Sequence, residues 1–449
     1  MEEKEVFQEL IRLMQEGKIA AFKTLTRDCP PVDIAEGIEE LDNETTLRIF
    51  RLLPKDISAD VFSYLSPEQQ QIIAETATGL EMRHLIDDMF LDDTVDFLEE
   101  MPANVVTKVL QNASEQTRSL INTFLRYPEN SAGSLMTIEY VALHDYFTVR
   151  KAMDHIRRTG VEKETVYTCY VVDAQRKLLG TVSLRKLIIA PEQATIRDIM
   201  ETQLLYANTQ DDQEQVAEDF RHYDLMTLPV CDKEMRLVGI ITVDDIVDVI
   251  QEENTEDFEK MAAITPSNEE YLKSSVWTLA KNRVPWLLLL MISATFTGAI
   301  ITHFEDVLST MVILTSFIPM LMDTAGNSGA QTTTLVIRGM ALGEVGLGDI
   351  TRVVWKEARV ALVCGTILSV INFGRLMIFS GQPVMISLTV SLTLLCTVFI
   401  AKLVGCLLPM GAKKLKLDPA IMAAPMITTI VDACALMIYF SLSTLLLNL

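Results

Sequence analysis

Val284 to Thr302 is a run of 19 residues without a charged side chain, and it has company. Residues 307–337 and 419–449 each span 31 positions with a single charge, Asp323 and Asp432 respectively. A helix of any of these lengths crosses a hydrocarbon core of about 30 Å. Two less apolar candidates lie between them, residues 360–381 with Arg375 near the far end and residues 383–410 with Lys402. The pattern predicts five membrane helices over residues 283–449.

The rest of the chain meets a different solvent. The whole protein has a net charge of −23, whereas residues 281–449 alone net +3, so residues 1–280 carry −26. Basic residues gather in alternate loops, Lys281 and Arg283 before the first run, Arg338, Arg352, Lys356 and Arg359 between the second and third, and Lys413, Lys414 and Lys416 between the fourth and fifth, while the opposite loops offer His303, Glu305, Asp306 and Arg375. The positive-inside bias places the basic loops and the acidic region in the cytoplasm, and the C-terminus outside. The opening "MEEKEVFQELIRLMQEGK" reads as an amphipathic charged helix and lacks the apolar centre of a secretion signal. Seven scattered cysteines without CxxC spacing read as reduced thiols.

Within the acidic region, residues 1–130 repeat a leucine-rich helical pattern broken at "LLPKD", "YLSPEQ", "MFLDD" and "EEMPAN". Short helices stacked as a superhelical array fit this period, with a bundle as the alternative. Residues 131–253 hold a second repeat. "YVVDAQRKLLGTVSLRKLI" from Tyr170 aligns with "PVCDKEMRLVGIITVDDIV" from Pro229, each copy reading strand, turn, strand, helix. This resembles a tandem pair of CBS domains, which are usually regulatory. In such pairs Gly-x-x-Thr/Ser-x-x-Asp often holds an adenine nucleotide. The second copy has Gly239, Thr242 and Asp245, while the first has Gly180 and Ser183 but Lys186 in place of the acid. An ammonium cannot accept ribose hydroxyl protons, which argues against ATP in the first copy. Asp244 and Asp245 also suit a helix N-terminus without any ligand.

From Asp244 to Glu259 the chain holds eight acids. A solvated helix face is the competing reading of that run, but a region at −26 resists compaction, and hard carboxylate oxygens are the ligands of Mg²⁺ and Ca²⁺. After Pro266, within residues 254–282, a connecting helix is expected behind a Ser267/Glu270 capping box, leading directly into the first membrane run. In the membrane, Asp432 has no base at helical contact spacing in its own run, so it is expected to line water. "MDTAGNSGAQTTT" around Asp323 adds glycines and oxygen dipoles, and Pro425 is expected to free the Ile421 carbonyl. Helix packing competes as a role for each glycine and threonine, and Asp323 has an open role.

Over nearly its whole length the chain resembles the MgtE magnesium channels. The resemblance rests on "PMLMDTAGNSGAQTTTLVIRGMA", on "LDPAIMAAPMITTIVDACALMIYF", and on the order of helical domain, CBS pair, connecting helix and five membrane helices. It implies a homodimer in a bacterial inner membrane, in contact with lipid and not with nucleic acid. The pore is then formed by the second and fifth helices of both subunits, and the protein is a transporter, not an enzyme. The pore residues it implies are Asp432, Thr428 and the backbone at Gly326 and Asn327. The residues it implies for cytosolic Mg²⁺ sensing are Asp92, Asp96, Asp212, Glu214, Asp224, Asp245, Asp248, Glu253, Glu256, Asp257 and Asp418. Ala435 and Ala424 depart from the family pattern around the ion site, and Lys186 departs from it at the nucleotide site. An ion-coupled divalent exchanger, a nucleotide-sensing scaffold and an intramembrane aspartyl protease are rival classes, the last without its glycine-any-glycine-aspartate signature.

Overall fold

The computed structural model describes residues 3–267, 271–272, 274–422 and 424–448. It divides into two compact units, Met1–Ile250 and Gln251–Leu449.

The first unit opens with ten short helices: α1 (Glu3–Gln15), α2 (Ile19–Arg27), α3 (Pro31–Glu39), α4 (Asn43–Leu52), α5 (Lys55–Ser63), α6 (Pro67–Thr76), α7 (Gly79–Asp88), α8 (Leu91–Glu99), α9 (Ala103–Asn112) and α10 (Glu115–Phe124). Local chemistry sets their ends. Asp42 caps α4 by accepting from the Glu44 and Thr45 amides, Thr78 and Glu81 form a capping box on α7, and α3 and α6 begin with proline. Most of the helices stack on the next but one, α1 on α3, α3 on α5, α5 on α7 and α7 on α9, with α4 on α6 and α8 on α10. That is the stacked array and not a bundle.

The repeat at residues 131–253 folds as two copies of one motif. The first comprises β1 (Ala142–His144), α11 (Val149–Thr159), β2 (Thr168–Val172), β3 (Leu178–Ser183), α12 (Leu184–Ile189) and the one-turn α13 (Ile196–Ile199). The second comprises β4 (Ala207–Asn208), α14 (Gln213–Tyr223), β5 (Thr227–Cys231), β6 (Leu237–Thr242) and α15 (Val243–Met261). In each sheet the first strand runs parallel to the second and the second antiparallel to the third. The registers match at an offset of 59 residues, Thr168 opposite Ser183 and Thr227 opposite Thr242, with a bulge at the same place in both. The copies also exchange bonds: Leu178 N–H donates to Met235 O at 3.0 Å and Leu237 N–H to Arg176 O at 2.9 Å. One hydrophobic core joins Phe62, Phe97 and Val105 of the helical array to Val216, Phe220, Ile241 and Ile246 of the second copy.

The second unit contains the C-terminal part of α15, then α16 (Val276–His303), α17 (Glu305–Thr310), a 3₁₀ segment (Val312–Phe317), α18 (Ile318–Ala341), α19 (Ile350–Ile378), α20 (Val384–Lys414), a 3₁₀ turn (Pro419–Met422) and α21 (Ala424–Leu447). Among the described residues, four spans are long and apolar enough to cross a membrane: Val276–His303, Leu347–Ile378, Val384–Lys414 and Pro419–Leu447. α18 is 24 residues long but more polar.

Three expectations change here. Residues 307–337 are not one helix, because Pro319 sits in the first turn of α18 and the preceding chain is a short helix and a 3₁₀ segment. Asp323 therefore lies near the start of its helix and not at the middle of a long span. Pro425 likewise falls in the first turn of α21, where no helical bond is lost. α16 begins at Val276 under Ser275, which accepts from the Thr278 amide at 3.0 Å. The Ser267 amide instead donates to Glu259 at 2.9 Å, and Glu270 lies outside the described residues.

Candidate functional site

In the membrane-type unit, α18 packs against α20 and α21, and α20 packs against α19. Small residues permit the approach. A Cβ added at Gly405 would stand 2.6 Å from Gly329 O, and one added at Gly329 would stand 2.8 Å from Ile427 Cγ2. Thr333 Oγ1 donates into this crossing, to Gly405 O at 2.8 Å and Gly329 O at 3.1 Å. Helices without side chains between them approach closely enough for such bonds.

The same packing assembles the residues singled out in the sequence. A Cβ at Gly326 would lie 3.1 Å from Thr428 Cγ2 and 3.9 Å from Asp432 Oδ1. Asp432 is half-buried and feels the negative charge of Asp323 across the helix pair. The Thr428 hydroxyl donates to Pro425 O at 3.0 Å, which commits its proton and leaves its lone pairs to accept. Asn327 is exposed, and it is one of a series: Asp323, Asn327, Gln331, Thr334 and Arg338 are all exposed and recur at helical spacing on α18. One polar stripe thus runs along the helix, while Gly326, Gly329 and Thr333 face its neighbours.

Two acid clusters stand outside the membrane helices. In the first unit, Asp92, Asp93 and Asp96 on α8 face Asp244 and Asp245 at the start of α15, with Glu164 beside them. Burial, reinforced by the Asp93 and Asp245 charges, pushes the Asp92 carboxyl well above its ordinary value. Burial raises Asp93 to about 6 beside Asp245, Asp245 to about 6 beside Asp244, and Glu164 to about 7 beside Asp244 and Asp245; Asp96 keeps solvent access, and desolvation by the surrounding chain with the Glu99 and Asp93 charges raises it. Asp245 also accepts from the Thr242 hydroxyl at 2.6 Å, and Asp248 adds to its repulsion. Asp93 and Glu164 are members that the sequence pattern did not single out, and Asp244 stood there only as one acid of a run, since only the fold brings α8, α15 and the loop before β2 together.

In the second unit, Glu253, Glu256 and Asp257 near the end of α15 meet Asp418. Burial and the Asp418 charge raise Asp257 to about 6. Lys260 stands among them, its Nζ 2.5 Å from Glu256 Oε1 and 2.7 Å from Asp418 Oδ2. Partial burial opposes the ammonium, but these two hydrogen bonds outweigh it and hold the lysine above its ordinary range. Asp212, Glu214 and Asp224 sit elsewhere. Asp212 caps α14 by accepting from the Glu214 amide at 2.9 Å, and Asp224 ends the same helix in a left-handed conformation. Eleven residues of helix separate them by about 16 Å. Among the described residues, no three His, Cys, Asp or Glu side chains converge as a metal-holding group.

At the CBS pair, Lys186 Nζ is held by Glu201 at 2.8 Å, while Gly239, Thr242 and Asp245 keep their expected spacing.

Residues 318–442 match the family model described as a divalent cation transporter, MgtE, residues 29–130 match the MgtE intracellular N domain, and residues 132–192 and 196–252 match CBS domains. The chain is 37% identical over 439 residues to the magnesium transporter MgtE of Thermus thermophilus, covering 97% of each. It is 31% identical over 440 residues to that of Bacillus subtilis, covering 98% of this chain and 97% of the other. A crystal structure of the cytosolic domain of the Mg²⁺ channel MgtE in complex with ATP aligns with TM-score 0.52 and 37% identity over 54% of this chain and 99% of its own. The soluble part of a magnesium transporter aligns with TM-score 0.54 and 30% identity over 56% and 99%.

Proposed function

The chain belongs to the MgtE family of divalent cation transporters, and from that premise we propose that it carries Mg²⁺ across a bacterial cell membrane along α18 and α21 of two paired copies. The observation that carries this reading is the exposed polar stripe of α18 beside Asp432 and Thr428. A carboxylate facing lipid costs ~2.5–3.5 kcal/mol even on lenient scales, so such a stripe requires water or a partner. A second copy supplies both, and it brings two Asp432 carboxylates to one axis. Their charge balances a divalent ion, and the Thr428 and Asn327 oxygens accept from its waters, as suits an ion that dehydrates reluctantly. α18 is then the second of five membrane helices, and the basic loops lie in the cytoplasm with the N-terminal unit.

Cytosolic Mg²⁺ closes this path in the reading favoured here. Asp92, Asp96, Asp245 and Asp248 crowd one cluster, and Glu253, Glu256, Asp257 and Asp418 another, where Lys260 bridges Glu256 and Asp418; a divalent ion bound at either relieves the repulsion among the acids. Asp212, Glu214 and Asp224 offer further carboxylates on α14. The coupling to the membrane is short: Met261 at the end of α15 packs beside Val336, Ile337 and Met340 of α18. The solved relative in complex with ATP supports a nucleotide at the cytosolic domain; Gly239, Thr242 and Asp245 favour the second CBS copy for it, and Lys186, held by Glu201, disfavours the first.

Mg²⁺ entry into liposomes loaded with a fluorescent indicator tests the transport reading. The reconstituted protein is expected to pass Mg²⁺ without any counter-ion gradient, and Asp432→Ala to abolish the flux. Undiminished flux in Asp432→Ala, or a strict need for a sodium or proton gradient, would overturn it.

A further inference from the structure

Behind the polar stripe lies a charged arrangement that ion conduction along that stripe leaves unused. Lys402 of α20 is only 5% exposed, and its Nζ lies 3.2 Å from the hydroxyl of Thr332 on α18, itself 1% exposed. The Thr332 hydroxyl in turn donates to Glu357 Oε2 on α19 at 2.9 Å. A hydroxyl has one proton to give and lone pairs to accept with, so Thr332 can bond the carboxylate and the ammonium together. Three helices are thereby joined through one side chain, with one positive and one negative charge in balance.

We propose that Glu357, Thr332 and Lys402 form a charge-balanced clamp that fixes the rotation of α18 and so the direction its polar stripe faces. This rests on the transport reading. Counting 3.6 residues per turn, Thr332 sits about 140° around α18 from the centre of the stripe. It therefore grips the back of the helix whose front lines the path. The Gly329–Gly405 crossing fixes the distance between α18 and α20, and Thr333 adds one bond across it to Gly405 O, but that bond reaches only α20, whereas Thr332 ties α18 to both α19 and α20. A slip of one residue position turns the helix by about 100° and points Asn327 and Gln331 away from the path. These three are positioning residues. They hold the stripe and do not touch the ion.

The charges make the arrangement testable, because removing half-buried Glu357 strands the buried Lys402 ammonium and removing Lys402 leaves the carboxylate without its counter-charge, whereas removing both strands neither. The full-length protein and the variants Lys402→Met, Glu357→Gln, Lys402→Met/Glu357→Gln, Thr332→Val and Thr332→Ser are reconstituted, and entry of Mg²⁺ and of Co²⁺ is measured. Lys402→Met and Thr332→Val are expected to lower Mg²⁺ flux by about tenfold and to change the Co²⁺ to Mg²⁺ ratio, since a misaimed stripe presents different oxygens. Thr332→Ser keeps both bonds and stays near wild type. The double variant recovers to within about threefold. The unfolding midpoints of the wild type, the two single charge variants and the double variant form a cycle that reads the clamp independently of transport. Additive midpoints, or a Lys402→Met protein with wild-type flux and an unchanged ion ratio, overturn the proposal. A wild-type protein that passes no Mg²⁺ while the cycle is strongly non-additive defeats the transport reading and the aiming role together, leaving a clamp that serves stability alone.

Discussion

Asp93 offers the sharpest test of the acid cluster, because every strong electrostatic neighbour it has is also an acid. Burial and then Asp245, Asp60, Asp244 and Glu139 raise its carboxyl from 3.8 to about 6. Glu164 rises from 4.5 to about 7 for the same reasons. In the unfolded chain both return to ordinary values near 4, so between about pH 4 and 7 the folded state binds more protons than the unfolded one. Stability must therefore fall as pH rises through that window when no divalent ion is present. A shift of about two units sets a ceiling near 3 kcal/mol for Asp93, which partial exposure reduces to about 1–2 kcal/mol. Asp93→Asn removes that repulsion. In EDTA at pH 7.5 the Asp93→Asn fragment of residues 1–270 is expected to melt about 3–6 °C higher than the native fragment, at 2–4 °C per kcal/mol for a domain of this size. The native fragment should lose melting temperature from pH 5 to 7.5 in EDTA, and millimolar Mg²⁺ should flatten that slope. A midpoint that rises with pH in EDTA, or an Asp93→Asn fragment indistinguishable from the native one, refutes the reasoning.

Other outcomes follow from the same geometry. Lys260→Gln removes two partly exposed ion pairs worth ~1 kcal/mol together, so protease should cut the connection after α15 about fivefold faster in EDTA, with Mg²⁺ restoring protection and Lys260→Arg behaving as native; equal cutting in EDTA would dismiss the bridge to Glu256 and Asp418. Gly405→Ala places a methyl 2.6 Å from Gly329 O, and strain of ~1–3 kcal/mol should lower the melting temperature of the detergent-solubilised protein. An unchanged midpoint there would mean that α18 and α20 part without cost.

The repeat at residues 131–253 was fully legible because it is written in local chemistry: the pairing of Thr168 with Ser183 recurs as Thr227 with Thr242, and the turn residues recur with it. The helix boundaries of the array were legible too, since the stops are local: Asp42, Pro54 and Pro102 cap the helices that follow, and Pro31 and Pro67 open theirs. The acid clusters were legible only as composition. Nothing in "LDDTVDFL" says that Asp93 faces Asp245, because that contact spans the distance from α8 to α15 and exists only once Phe97 and Ile246 share a core. The break in residues 307–337 had a signal, Pro319, which uniform hydropathy concealed. The pairing of Lys402 with Glu357 had none. One appeared as a flaw in an apolar run and the other as a loop charge, and only packing shows that they share a threonine.

The polar stripe of α18 also bears on how the protein is made. Synthesis delivers α18 to the membrane before α20 and α21 exist, and a helix bearing Asp323, Asn327, Gln331 and Thr334 partitions poorly into lipid by itself. The groups that satisfy the opposite face, the Gly405 carbonyl bonded by Thr333 and the Lys402 ammonium bonded to Thr332, also arrive later in the chain. If α18 spans the membrane as proposed, a chain that stops after α19 leaves Thr332 and Thr333 without their α20 partners and the stripe still uncovered.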